Sequence, residues 1–187
     1  MKTNEEFDIL AGKCFDIFSK KAMDYGTAWR ILRTPSLTDQ IYIKAQRIRS
    51  IEQKGVTLVN EGVMPEYIGI VNYSVMALIQ LEVGVANTME ELMPADEAIT
   101  LFKKYLQNAK DLMCNKNHDY DEAWRKMRRS SLTDIILMKL LRIKQIEDND
   151  GKTVISEGLD ANYYDIINYA MFALIKLYEG EENDNNN

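Results

Sequence analysis

The sequence predicts an all-α fold: a helical bundle built from two tandem, pseudo-symmetric three-helix repeats. Three observations lead there. First, the chain contains itself twice. Asp24-Tyr25-Gly26-Thr27-Ala28-Trp29-Arg30, followed by Ser36-Leu37-Thr38-Asp39, returns as Asp119-Tyr120-Asp121-Glu122-Ala123-Trp124-Arg125, followed by Ser131-Leu132-Thr133-Asp134. Past one inserted residue near 148–151, Asn72-Tyr73 recurs as Asn168-Tyr169, and Ala77-Leu78-Ile79 as Ala173-Leu174-Ile175. Roughly 30 of about 67 aligned positions are identical at an offset of about 95, self-similarity of the kind that marks duplicated units. Second, apolar residues recur at helical spacings, while strand-like alternation is hard to find. Third, two copies packed together would bury far more apolar surface than either alone. One compact unit with internal twofold pseudo-symmetry is therefore expected. Two copies are too few for an α-solenoid, which needs at least about three repeats.

The elements follow in order. A first helix starts near Asn4, a good N-cap, and carries Phe7, Leu10, Ala11, Cys14, Phe15 and Phe18 at spacings of three and four. It stops around Asp24-Tyr25-Gly26, and Trp29 lies on a short connecting turn. Ser36 and Thr38 offer caps for a second helix through about Glu52. Gly55 and Gly62 bracket a polar loop. A third helix runs from about Pro65, a favoured early helical position, to Leu81. The pattern repeats over about Asp96–Asn115, Ser131–Asp148 and Leu159–Tyr178. The organisation is repeat 1 over 1–82, a linker over 83–95, repeat 2 over 96–178 and an acidic tail over 179–187 expected to be disordered.

Composition narrows the partners. A net charge of −6 argues against a general nucleic-acid binder, yet leaves room for a local basic pocket that takes one nucleotide. Cys14 and Cys114 do not align between the repeats, so no disulfide framework is expected and a reduced, cytoplasmic setting is the default. The polar N-terminus is not a signal peptide, and no apolar run is long enough to span a bilayer. Bundles of this kind often pair, so a homodimer is compatible with the sequence. His118, the lone histidine, aligns with Met23 and reads as a surface residue.

The polar residues inside apolar helices carry the functional expectation. Ile135–Ile143 is apolar on nearly every side, which predicts a helix buried all round. Lys139 and Arg142 interrupt it three residues apart, on one face. The third helix of the same repeat has Asp165 and Asn168, again three apart, in an otherwise apolar run. Buried charges are costly unless paired, so the two stripes should point at a common space. One reading is an internal network in which Lys139 or Arg142 pairs with Asp165. The other is a ligand site. There Lys139 and Arg142 hold phosphate, Asp165 binds Mg²⁺, and Asp160 and Glu157 add ligands or position water. Repeat 1 keeps Lys44, Arg47, Glu61, Asn72 and Tyr73, but has Gly69 for Asp165 and Met64 for Asp160. Lys44 and Arg47 therefore need another anion: Asp39, Glu52, the other repeat or a ligand. Trp29 and Trp124, with Tyr25 and Tyr120, form another matched set that could stack on a base, although a Trp at a helix junction is more often core. The chain has no glycine-rich phosphate loop, no metal-type Cys/His spacing and no nucleophile elbow.

The order Asp119-Tyr120 to Trp124, then Lys139 to Arg142-Ile143, then Glu157 upstream of Asp165 and Asn168-Tyr169-Ala170 resembles the nucleotide-modification-associated small α-helical domain. The resemblance covers about 5–82 and 96–178. That domain is in turn similar to the MazG-type all-α nucleoside triphosphate pyrophosphohydrolases, which are usually paired bundles using Mg²⁺ and helix-borne acidic residues. The resemblance implies a MazG-like fold with Asp165 and Asn168 in place of the second acidic pair of those enzymes. Their first acidic pair would fall near Lys139 and Arg142, so bases replace it here. Nucleotide binding survives that substitution better than hydrolysis. Catalysis would have to recruit Asp119, Glu122, Glu157 or Asp160. Three functions stay open. The first is a Mg²⁺-dependent nucleotide hydrolase with Asp165, Glu157 and Asp160 as catalytic residues, Asp165 and Asp160 as metal ligands, and Lys139, Arg142, Asn168, Tyr169, Trp124, Lys44, Arg47 and Asn72 as substrate contacts. The second is a non-catalytic nucleotide-binding or sensing module. The third is a structural bundle with an internal polar network.

Overall fold

Helical periodicity alone governs the backbone of this chain. A computed structural model describes residues 2–55 and 62–185, and side chains up to 180. Within those bounds there are six α-helices: α1 Lys2–Tyr25, α2 Thr34–Lys54, α3 Met64–Val83, α4 Ala95–Tyr120, α5 Arg129–Asp148 and α6 Leu159–Asn185. Short 3₁₀ turns at Ala28–Ile31 and Ala123–Lys126 carry Trp29 and Trp124, and a third, Met89–Glu91, lies in the linker. No described residue is in a strand. The all-α class holds.

The apolar stripes dictate the packing. α1 buries Phe7, Leu10, Cys14, Phe18 and Ala22, one face at spacings of three and four. α4 does the same with Ala98, Phe102, Leu106, Ala109 and Met113. α3 is buried nearly all round, and with α6 it forms the centre. α2 packs on α3, α5 on α6, and α2 against α5, while α1 and α4 lie against each other and flank the centre. One continuous apolar core draws on both repeats. Each fully buried large side chain, such as Phe7 or Phe102, contributes roughly 1.5–3 kcal/mol by leaving water.

Matched polar contacts join the repeats. The Thr38 hydroxyl on α2 meets Tyr163 Oη of α6 at 2.6 Å and donates to Glu147 Oε1 of α5 at 2.8 Å. Its counterpart Thr133 meets Tyr67 Oη at 2.7 Å and Glu52 Oε1 at 3.1 Å. Outside these, Lys144 pairs with Asp39 at 3.0 Å and Arg49 with Asp134 at 3.6 Å. Each of these contacts has a partner related by exchange of the two repeats.

Several local expectations are corrected. Helix α1 begins at Lys2, so Asn4 is not its cap. Asn4 instead accepts a bond from Cys114 Sγ at 3.3 Å. Thr38 does not cap α2, which starts at Thr34. It lies inside the helix, where its hydroxyl also bonds Thr34 O and reaches across to the other repeat. Helix α5 is not buried all round. It packs against α2 and α6, and its outer side leaves Met138 and Leu141 exposed. Helix α6 runs to Asn185 rather than stopping at Tyr178. Glu179 in the expected tail is drawn in by Lys2 at 2.8 Å and Arg125 at 3.2 Å. Arg125 also binds Glu6 at 2.6 Å and Glu122 at 3.0 Å, which clamps α1, the Trp124 turn and α6. The end of α4 needs a left-handed residue. Repeat 1 uses Gly26 (φ 60°) there, and repeat 2 uses Asp121 (φ 49°), a residue type that tolerates this conformation.

Candidate functional site

Each repeat builds a cavity in the same place, between the end of its first helix, its Trp turn and its third helix. In repeat 1 the walls are Phe18, Lys21, Tyr25, Trp29, Lys44, Glu66, Gly69, Asn72, Tyr73 and Met76. In repeat 2 they are Met113, Lys116, Tyr120, Trp124, Asp165, Asn168, Tyr169 and Phe172. The volumes are about 590 Å³ and about 310 Å³.

The asparagines sit alike. Asn72 Nδ2 donates to Cys14 O at 3.1 Å, and Asn168 Nδ2 donates to Ala109 O at 3.0 Å. Each ties the third helix of its repeat to the first. A main-chain carbonyl only accepts, so it fixes which way each amide points. The other end of each amide, Asn72 Oδ1 and Asn168 Oδ1, is buried without a hydrogen-bond partner among the described residues. A buried acceptor left without a donor is costly. Trp124 Nε1 is in the same condition.

The aromatic residues differ. Trp124 is buried and stacks flat on Phe172, 4.3 Å between centroids at 5°. Here the core reading of the Trp holds. Met76 stands where Phe172 does, so Trp29 has no such partner. It meets Phe18 edge-on at 6.2 Å, remains half-buried and lines the larger cavity.

The charges differ too. In repeat 2, Asp165 accepts from Lys139 Nζ of α5 and from Lys116 Nζ of α4, each at 2.7 Å. Burial raises the Asp165 carboxyl pKa, but the two lysines outweigh it and hold the group below its ordinary value. Lys139 pairs with Asp165 as the two polar stripes implied, whereas Asn168 bonds to α4 instead of joining that pair. Lys116 escaped the sequence reading, although its recurrence as Lys21 one turn before each conserved-spacing Tyr was visible. In repeat 1 the missing anion is none of those named from the sequence. It is Glu66, bound by Arg47 at 3.0 Å and Lys44 at 3.5 Å. Glu66 aligns with Asn162, so no repeat identity marked it. Glu61 lies outside the described residues.

The remaining candidates are dispersed. Lys139 and Arg142 line a second groove of about 680 Å³ with Lys152, Glu157 and Asn162. That brings Glu157 near the two bases, but Asp165 lines the other cavity. Asp160 faces Glu82, Tyr105 and Tyr164. It stands five residues before Asp165, about 140° around a helix of 3.6 residues per turn. Asp160 and Asp165 therefore cannot form the expected metal pair. Both Asp165 oxygens carry lysine ammonium groups, and among the described residues no group of three or more His, Cys, Asp or Glu side chains could hold a metal ion. The residues present do not fit Mg²⁺. His118 lies exposed beside Asp119 at 3.1 Å. Cys14 is buried, which pushes its thiol up to about 12. Among the described residues no helix is long and apolar enough to cross a membrane.

Neither a curated protein nor a solved structure matches the chain. A family model does, twice. The nucleotide modification associated domain 1 matches residues 21–81 and 116–177, spans that carry the cavity walls from Lys21 to Met76 and from Lys116 to Phe172. With both matches together covering more than half of its length, the chain belongs to the nucleotide modification associated domain 1 family.

Proposed function

We propose that the chain binds a nucleotide, or a similar aromatic phosphorylated small molecule, in the repeat-1 cavity. The observation that carries this reading is the meeting of aromatic walls and two lysines in one cavity. Trp29, Tyr25 and Tyr73 offer flat apolar surfaces. Lys21 and Lys44 add positive charge to the same wall. A volume of about 590 Å³ falls in the usual range for small-molecule pockets. The family's description, which concerns nucleotide modification, supports the same ligand class.

Binding fits these residues better than turnover does. A MazG-type pyrophosphohydrolase works through clustered carboxylates on its helices. Here Asp165 is held by two lysines, and Asp160 and Glu157 face other spaces. The chain would therefore serve a nucleotide-modification system by holding its ligand.

Isothermal titration with ribonucleoside 5′-monophosphates tests this. Stacking on an aromatic contributes about 1–3 kcal/mol per base, so Trp29→Ala should weaken binding at least about fivefold. Unchanged affinity in Trp29→Ala, or no binding by the unaltered protein, would refute the assignment.

A further inference from the structure

We infer that Lys21 and Lys44 hold the anionic group of the ligand over Gly69, and that repeat 2 is a self-filled copy of the same site. This rests on reading the repeat-1 cavity as a ligand pocket. The chain itself supplies the template. In repeat 2 a carboxylate, Asp165, bridges Lys116 and Lys139 at 2.7 Å each. The duplication places Lys21, Lys44 and Gly69 at those three positions, and all three line the repeat-1 cavity. Repeat 1 thus keeps both cations and lacks their shared anion. Lys44 reaches Glu66 at 3.5 Å, a carboxylate that Arg47 holds more closely at 3.0 Å. Lys21 forms no ion pair among the described residues.

Glycine at 69 brings no anion of its own and admits the Lys44 stem instead. A Cβ there would lie 2.7 Å from Lys44 Cδ and Cε, so the lysine stem passes directly over the bare backbone. In repeat 2 the same lysine position coexists with an aspartate, which shows the alternative arrangement. The aromatic half of the site follows the same logic. Phe172 stacks on Trp124 and occupies the space that Met76 leaves open beside Trp29. Phe172 stands where the base would lie and Asp165 where the phosphate would. The consequence is one ligand per chain, although the fold is duplicated.

The test compares each common ribonucleoside 5′-monophosphate with its nucleoside by isothermal titration, using the whole chain. The unaltered protein should bind one monophosphate per chain and bind the nucleoside at least tenfold more weakly. A charge-assisted hydrogen bond commonly contributes more than such a factor requires. Gly69→Asp places a carboxylate between the lysines. It should weaken the monophosphate at least tenfold and leave the nucleoside within about threefold. Lys21→Ala, at an exposed position that the fold tolerates, should do the same and serves if Gly69→Asp fails to fold. Equal affinity of monophosphate and nucleoside, or unchanged monophosphate affinity in Lys21→Ala, would overturn the anion subsite while leaving the cavity reading intact. Two equivalent monophosphates per chain would overturn the self-filled copy. Absence of binding by either compound would overturn both readings.

Discussion

The two repeats share a backbone plan and much of their sequence, yet the same cavity measures about 590 Å³ in repeat 1 and about 310 Å³ in repeat 2. Two aligned wall positions carry smaller or more flexible residues in repeat 1: Gly69 against Asp165, and Met76 against Phe172. In repeat 2 an aromatic ring and a carboxylate point inward and find partners within the protein. In repeat 1 the equivalent positions are small or flexible, and Lys21 and Trp29 line the larger cavity. The symmetric scaffold thus carries two cavities of unequal size. The clamp around Arg125 belongs to the same divergence. Its counterpart Arg30 is buried and bonds to Gln80 and Gly84 O rather than to acidic residues.

The comparison is most severely tested at its charged centre. Asp165→Ala strands Lys139 and Lys116, and removing one partner of a buried pair should cost about 3 kcal/mol. For a chain of this size that lowers the melting temperature by roughly 6–12 °C. Glu66→Ala should cost about 1 kcal/mol, because its pairs, at 3.0 and 3.5 Å, are longer than the two 2.7 Å pairs of Asp165. Equal losses in thermal denaturation would contradict the contrast between the repeats. The Asp165 effect also depends on pH. Its folded pKa is depressed below 3.8, so its stabilisation is complete above that value and fades as pH falls through the lower, folded-state value. The gap between unaltered protein and Asp165→Ala should therefore persist at pH 5 to 7 (about neutral to mildly acidic) and close in stronger acid. A gap that widens on acidification would reverse the assignment.

The aromatic difference gives the next effect. Phe172→Met gives repeat 2 the residue of repeat 1. Losing the Trp124 stack and some volume should cost about 1.5 kcal/mol by urea denaturation. A stability-neutral Phe172→Met would show that the stack does not close the cavity. Thr38→Val and Thr133→Val then probe what the repeats still share. Each removes a hydroxyl that bonds a Tyr and a Glu across the pseudo-dyad, at about 1 kcal/mol apiece. Unequal values would mean that the two networks have diverged like the cavities. The smallest effect belongs to Glu147→Gln. Burial raises the Glu147 carboxyl pKa, and bonds from Thr38 and Tyr163 offset this only in part. The folded state thus favours its protonated form, a contribution present at low pH and lost as pH rises through the raised value. At neutral pH, Glu147→Gln should change stability by no more than about 0.5 kcal/mol or raise it slightly. A large loss would show that the ionised carboxylate is needed.

The sequence by itself determined the all-α class and the duplication, and it set Lys139, Arg142 and Asp165 on stripes expected to meet, without choosing which base pairs with Asp165. Each of these rests on local periodicity, or on polar residues that recur inside apolar helices, where burial leaves few alternatives. The separation of Asp160 from Asp165 was equally legible, since five residues carry a helix position far around its axis. Tertiary structure alone decided which anion serves Lys44 and Arg47, because Glu66 recurs nowhere in the other repeat. It also turned Thr38 from an expected cap into a contact between repeats, matched by Thr133, because a hydroxyl inside a helix can reach whatever packs against that face. Only packing set the openness of the two cavities. A Met and a Phe at the same helical position are alike in hydropathy, and the volume each leaves beside a tryptophan exists only once the helices are in place.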